Sequence, residues 1–143
     1  MMNRRDLGSL VVVLALVLGG VSFIHAVDLP ETAAQKALES WMPLWDSGKY
    51  DESYDKLAES TKKDISKRQW FEYWSTVRKP LGNVKSRKLK EVKYFTSLPN
   101  LPNHEGAMLQ YEGSFESKGS VVETFGMVRE TNGTWRVANY LTQ

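Results

Sequence analysis

The last third of the chain limits its fold most. The runs "GAMLQYEGSFES", "GSVVETFGMVRE" and "TNGTWRVANYL" succeed one another almost without pause. The first alternates, with Ala107, Leu109, Tyr111, Gly113 and Phe115 on one side, as in a strand buried on one face. In the second, Glu123 shares a face with Val121, Phe125 and Met127. Asn132-Gly133 suits a two-residue hairpin, where both central positions take positive φ. Connections this short imply an antiparallel meander. A weaker strand, "VKSRKLKEVKYF", comes before them, across the ten-residue loop "TSLPNLPNHE".

Helical patterns come earlier. "DLPETAAQKALESWMPLWDSG" begins with Asp28 as a cap, Glu31 three residues on and Pro30 in the first turn, a helix-start signature. Ala34, Ala37, Leu38, Trp41 and Trp45 then form one apolar stripe. Pro43 removes a hydrogen bond at a cost of roughly 3 kcal/mol, which predicts a kink or an end near Met42. "YDESYDKLAEST" reads as one short helix with Tyr50, Tyr54, Leu57 and Ala58 on its inner face. Ser66 and Gln69 make a capping box for a third helix, "RQWFEYWSTVRKPLG", closed by Pro80 and Gly82. Projected at about 100° per residue, Trp70, Tyr73, Trp74, Val77 and Leu81 fall on one core-facing stripe. Phe71 projects beside Arg78, away from it.

Helices first and strands afterwards predict an α+β fold. About three N-terminal helices would cover one face of a curved antiparallel sheet of about four strands. A chain of 143 residues suits one such domain.

The N-terminus has a separate meaning. "MMNRRD" is basic, "LGSLVVVLALVLGGVSF" is apolar and uncharged, and "IHA" follows, the three-part plan of a secretory signal peptide. Residues 1–26 are read as that signal, or as an uncleaved anchor, and residues 27–143 as the single domain. Either way the domain is expected outside the cytoplasm, periplasmic or secreted. Membrane contact would come only through an uncleaved N-terminal segment. The chain has no cysteine, which excludes disulfides, thiolate chemistry and cysteine metal sites.

Charge and motif leave few chemistries open. Residues 62–93 hold eleven bases and three acids, but the net charge of the chain is only +2. An exported, near-neutral protein is a poor nucleic-acid binder. The lysines instead suit solvated helix faces and an edge strand, where Lys blocks pairing with other chains. No His pair, His-Glu-x-x-His, calcium loop or glycine-rich phosphate loop occurs, so no metal or cofactor is expected. Past residue 26 the only histidine is His104, in the Pro/Asn loop, which leaves a nucleophilic triad without its usual base. Acid–base candidates are Glu123 and Tyr111, both on apolar strand faces. A carboxylate there must be paired or useful, and Arg129 or Arg136 is the expected structural partner of Glu123. Phe71, Arg78 and Arg87 are candidates for a ligand or partner surface.

Several runs together carry a resemblance: "W…WDSGKY..SY", "QW", "VRKPLGNVKSRKL", "TSLPNLP", "ETF" and "NGTWRVANYL". Their ordered set resembles the bacterial family called domain of unknown function 4019, from about Ala33 to Leu141. The most specific parts are Arg78-Lys79-Pro80-Leu81-Gly82 with Ser86-Arg87, Thr96-Ser97-Leu98-Pro99, and Gly133-x-Trp135-Arg136-Val137. Pro43 and Tyr54 depart from its pattern. The resemblance implies an exported protein with no assigned activity. The element order is also similar to cone-shaped folds related to nuclear transport factor 2, which cup a pocket between helices and a bent sheet. The expected function is a non-catalytic binding or interaction module for an unknown protein or a small apolar ligand. The alternatives are a cone-pocket isomerase or lyase, and a homodimer or structural partner subunit.

Overall fold

A computed structural model describes residues 26–143; the signal or anchor reading of the N-terminal segment falls outside them, save for Ala26. Four helices come first: α1 (Pro30–Asp46), α2 (Tyr50–Asp55), α3 (Glu59–Asp64) and α4 (Lys67–Tyr73). Four strands follow: β1 (Val84–Phe95), β2 (Gly106–Phe115), β3 (Ser120–Arg129) and β4 (Trp135–Thr142). Neighbours pair antiparallel in the order β1-β2-β3-β4. The protein is therefore α+β, with an open four-stranded meander. Among the described residues no helix is long and apolar enough to cross a membrane.

Three helical expectations are corrected. Asp28 does not cap α1; it pairs with Lys36 at 2.8 Å, and Leu29 holds the N-cap position without a side-chain bond. Of the kink or end expected at Pro43, the end is overturned: the helix continues through Pro43 to Asp46. Trp41 and Met42 before the proline and Trp45 after it are all buried, so tertiary burial outweighs the lost hydrogen bond. The expected single helix over residues 50–61 is two helices, broken at Leu57 and Ala58. Leu57 bridges Val137 in parallel, and the Ala58 N–H donates to the Val137 carbonyl at 2.8 Å. Both residues are wholly buried, and docking against β4 defeats helix continuity.

The Ser66–Gln69 capping box is present at α4. Beyond Tyr73 the helix loosens into a π turn, Trp74–Arg78, then a 3₁₀ turn, Lys79–Leu81. Departure from 3.6 residues per turn rotates the later side chains about the helix axis. Arg78, projected beside exposed Phe71, is carried inward, and Leu81 joins a second small core with Phe115 and Val121.

The main core lies between the helices and one sheet face. Trp41 stacks on Trp45 with ring centroids 5.6 Å apart, and Trp45 lies 4.7 Å from Trp70 and 5.1 Å from Tyr140. Buried indoles need acceptors. Trp41 Nε1 donates to the Ser53 carbonyl at 3.0 Å, and Trp70 Nε1 to Ser53 Oγ at 2.9 Å. Bulges hold the register so that apolar side chains keep facing in. The extra residues are Lys85 between Val84 and Ser86 and Lys90 between Leu89 and Glu91 in β1, and Ala138 between Val137 and Asn139 in β4.

The β3–β4 hairpin is one residue longer than expected. Gly133 N–H donates to the Glu130 carbonyl at 2.8 Å and Glu130 N–H to the Thr134 carbonyl at 2.8 Å. Residues 131–133 form the loop, and Gly133 takes positive φ, 86°. Three-residue hairpin loops commonly end on such a left-handed glycine.

Candidate functional site

Under the sheet, near the C-terminus of α1, four charged side chains meet. Arg87 lies in β1 opposite Gly113 of β2, which in turn faces Val121 of β3; Glu123 is opposite Tyr111. A Cβ on Gly113 would stand 2.7 Å from the Phe115 ring and 3.1 Å from Glu123 Oε2. The missing side chain opens a lane across β2, and Arg87 uses it. Its Nε and Nη2 donate to Glu123 Oε2 and Oε1 at 2.6 and 3.0 Å. Its Nη1 and Nη2 donate to Asp46 Oδ2 and Oδ1 at 2.8 and 3.0 Å. Arg78 Nε and Nη2 reach Asp46 Oδ1 at 3.2 and 3.1 Å, and Nη1 donates to the Gly82 carbonyl at 2.7 Å. Tyr140 Oη donates to Glu123 Oε1 at 2.9 Å. Both guanidinium carbons lie over the Phe115 ring, 5.0 and 5.9 Å from its centroid, a favourable placement for a cation.

Two carboxylates and two guanidiniums cancel, with forked pairing that matches planar to planar groups. Burial works against the Arg87 charge, but hydrogen bonds and attraction from Asp46 and Glu123 prevail and hold its pKa above the ordinary value. Burial, reinforced by the Glu123 charge, holds the Tyr140 phenol far above its usual range. The cluster is closed: its acids and bases are committed to one another.

The candidate residues named from the sequence therefore separate. Glu123 is fully buried and paired, but with Arg87 rather than Arg129 or Arg136. Arg129 pairs with Glu105 at 2.6 Å, and Arg136 reaches the Asp55 carbonyl at 3.5 Å. Tyr111 is buried, its pKa pushed up to about 12 by burial, and its hydroxyl makes no hydrogen bond within the described residues. Arg78 is 2% exposed, so it is no surface residue. Phe71 is 39% exposed and its ring lies 4.4 Å from that of Tyr50. Asp46, which joins both arginines, was not named from the sequence, because nothing local marks its partners.

The open space lies elsewhere. The loop between β1 and β2 folds over the outer sheet face, where Leu98 crowds Gly106. A groove of about 640 Å³ runs between that loop and α3, bordered by Leu98, Leu101, His104, Glu130, Lys63 and Asp64. A second, about 400 Å³, continues along β4 past Ile65, Trp70, Tyr73 and Leu141. Thr61, Asp64, Ala138 and Asn139 line both, so the two form one trough open to solvent. Neither Glu123 nor Tyr111 borders it. The sequence signal was faint: Leu98 and Leu101 are apolar residues in an otherwise polar loop.

Filled core, closed charge cluster and open trough define a small α+β domain with its accessible space on the outside. The chain belongs to the family described as protein of unknown function (DUF4019), which it matches over residues 37–140. No curated protein matches it.

Proposed function

We propose that the protein is a non-catalytic binding module, exported from the cytoplasm by its N-terminal segment, and that its ligand lies in the trough beside β4. The continuity of the two grooves carries this reading, because it offers a long concave surface with mixed apolar and polar walls, the usual setting of a binding site. The acid–base alternative asks for a carboxylate free to exchange a proton with a ligand, whereas both oxygens of Glu123 accept bonds from Arg87. The element order also favours kinship with the cone-shaped folds related to nuclear transport factor 2. That likeness concerns architecture and carries no activity.

Amide shifts of the isotope-labelled protein, followed while a pool of end-capped hexapeptides is added, test the reading. Changes should gather at Thr61–Ile65, Leu98–Leu101 and Ala138–Leu141. Changes centred on Tyr111 and Glu123, or none, would count against the trough. For export, N-terminal sequencing of the protein from its native compartment should begin near Val27; a start at Met1 or Met2 would exclude cleavage.

A further inference from the structure

We infer that the trough takes an extended polypeptide segment with a basic side chain near an apolar one, and this rests on the binding reading above. Its first groove is acidic. Glu59, Asp64 and Glu130 border it against the single cation Lys63. Glu59 is occupied by Lys62 at 2.7 Å. Glu130 Oε1 accepts the Glu59 N–H at 2.8 Å. Among the described residues no Lys or Arg nitrogen lies within 4.0 Å of the carboxylates of Asp64 or Glu130. The second groove is apolar, walled by Ile65, Trp70, Tyr73 and Leu141, and its one charged wall residue is Asp64. Asp64 thus stands where the two surfaces join.

A ligand matching this order places a positive group by Asp64 and Glu130 and an apolar group against Tyr73 and Leu141. Shape favours a peptide over a small molecule. Small-molecule sites enclose most of their ligand, whereas this trough is open along its length. An extended chain needs only one side covered and can set successive side chains into successive subsites. Leu141, 52% exposed, gains the most from being covered.

Two end-capped hexapeptides provide the test, each with a phenylalanine, one carrying lysine two positions earlier and the other norleucine there. The lysine peptide should bind roughly fivefold more tightly at low salt, the scale of an exposed charge pair. Added salt should erase the difference. Asp64→Asn should bring the two affinities together without changing that of the norleucine peptide, and Leu141→Ser should weaken both. Both substitutions are at exposed positions, and thermal melts verify that each variant is folded. Equal wild-type affinities, or a preference for the norleucine peptide, would overturn the cationic ligand while leaving the trough as a binding site. Failure of every peptide to shift the trough amides would overturn both. Self-association of the protein alone, abolished by Asp64→Asn, would assign the trough to a second copy and overturn the peptide.

Discussion

Tyr111 and Tyr140 are both buried, yet their hydroxyls are in opposite situations. Tyr140 Oη donates to Glu123 at 2.9 Å, whereas Tyr111 Oη has no partner among the described residues. Removing a bond to a buried carboxylate costs about 1.5–3 kcal/mol, while removing an unpaired hydroxyl costs little or helps. Denaturant titration should therefore show Tyr140→Phe destabilised by about 1.5–3 kcal/mol and Tyr111→Phe unchanged or slightly more stable. The sign of the alkaline limb follows from the same burial. A phenol whose pKa is raised by folding keeps its proton longer in the folded protein. Its stabilising contribution is full below about pH 10 and is lost as pH climbs beyond that value. Through Tyr111 the loss extends to about 12. Tyrosinate absorbance should show a late ionisation step that coincides with loss of the near-ultraviolet dichroism of the core. A single transition near pH 10 would contradict the burial. At this scale the sequence showed that Glu123 faces inward, because alternation is local. It could not show Arg87 or Asp46 as partners, because those contacts depend on the pairing of β1 with β2 and on where α1 ends.

Gly113 makes the charge cluster possible at the level of strands. It sits in β2 between the inward residues Tyr111 and Phe115, and its bare backbone lets Arg87 of β1 reach Glu123 of β3. Gly119, in the following turn, has nothing within 4 Å of an added Cβ. Gly113→Ala should destabilise by about 1–3 kcal/mol through overpacking, against about 0.5 kcal/mol or less for Gly119→Ala. Equal midpoints would show that the lane has slack. The meander itself was legible because strand alternation and turn residues act over a few positions. Its finer details were not. Asn132-Gly133 fits a two-residue loop equally well, and the choice fell to the pairing of Glu130 with Thr134. The break between α2 and α3 is equally non-local, since Leu57 leaves the helix to bridge Val137. The projection of Arg78 failed for a third reason: it assumed one helical pitch through the π turn at Trp74–Arg78.

Across the whole molecule the two edges of the sheet are protected differently. The β4 edge is covered by helices: the Ala58 N–H donates to the Val137 carbonyl at 2.8 Å, Thr61 Oγ1 to the Ala138 carbonyl at 2.9 Å, and Tyr73 Oη to the Tyr140 carbonyl. Among the described residues no helix hydrogen-bonds to the backbone of β1, whose Lys85, Lys88, Lys90 and Lys93 are exposed. This accounts for four of the eleven bases of residues 62–93 as edge protection, since repulsion between lysine rows opposes strand pairing across copies. Charge is thereby also split, with cations along β1 and the acidic trough beside β4. Replacing Lys88, Lys90 and Lys93 together by Thr removes the repulsion while keeping strand propensity. The triple variant should keep the far-ultraviolet spectrum of the parent yet self-associate at lower protein concentration in sedimentation velocity. High salt should move the unaltered protein in the same direction by screening the lysines. A triple variant whose sedimentation matches the parent at every concentration would show that β1 is guarded by its bulges at Lys85 and Lys90, which twist an edge away from straight pairing, and not by charge.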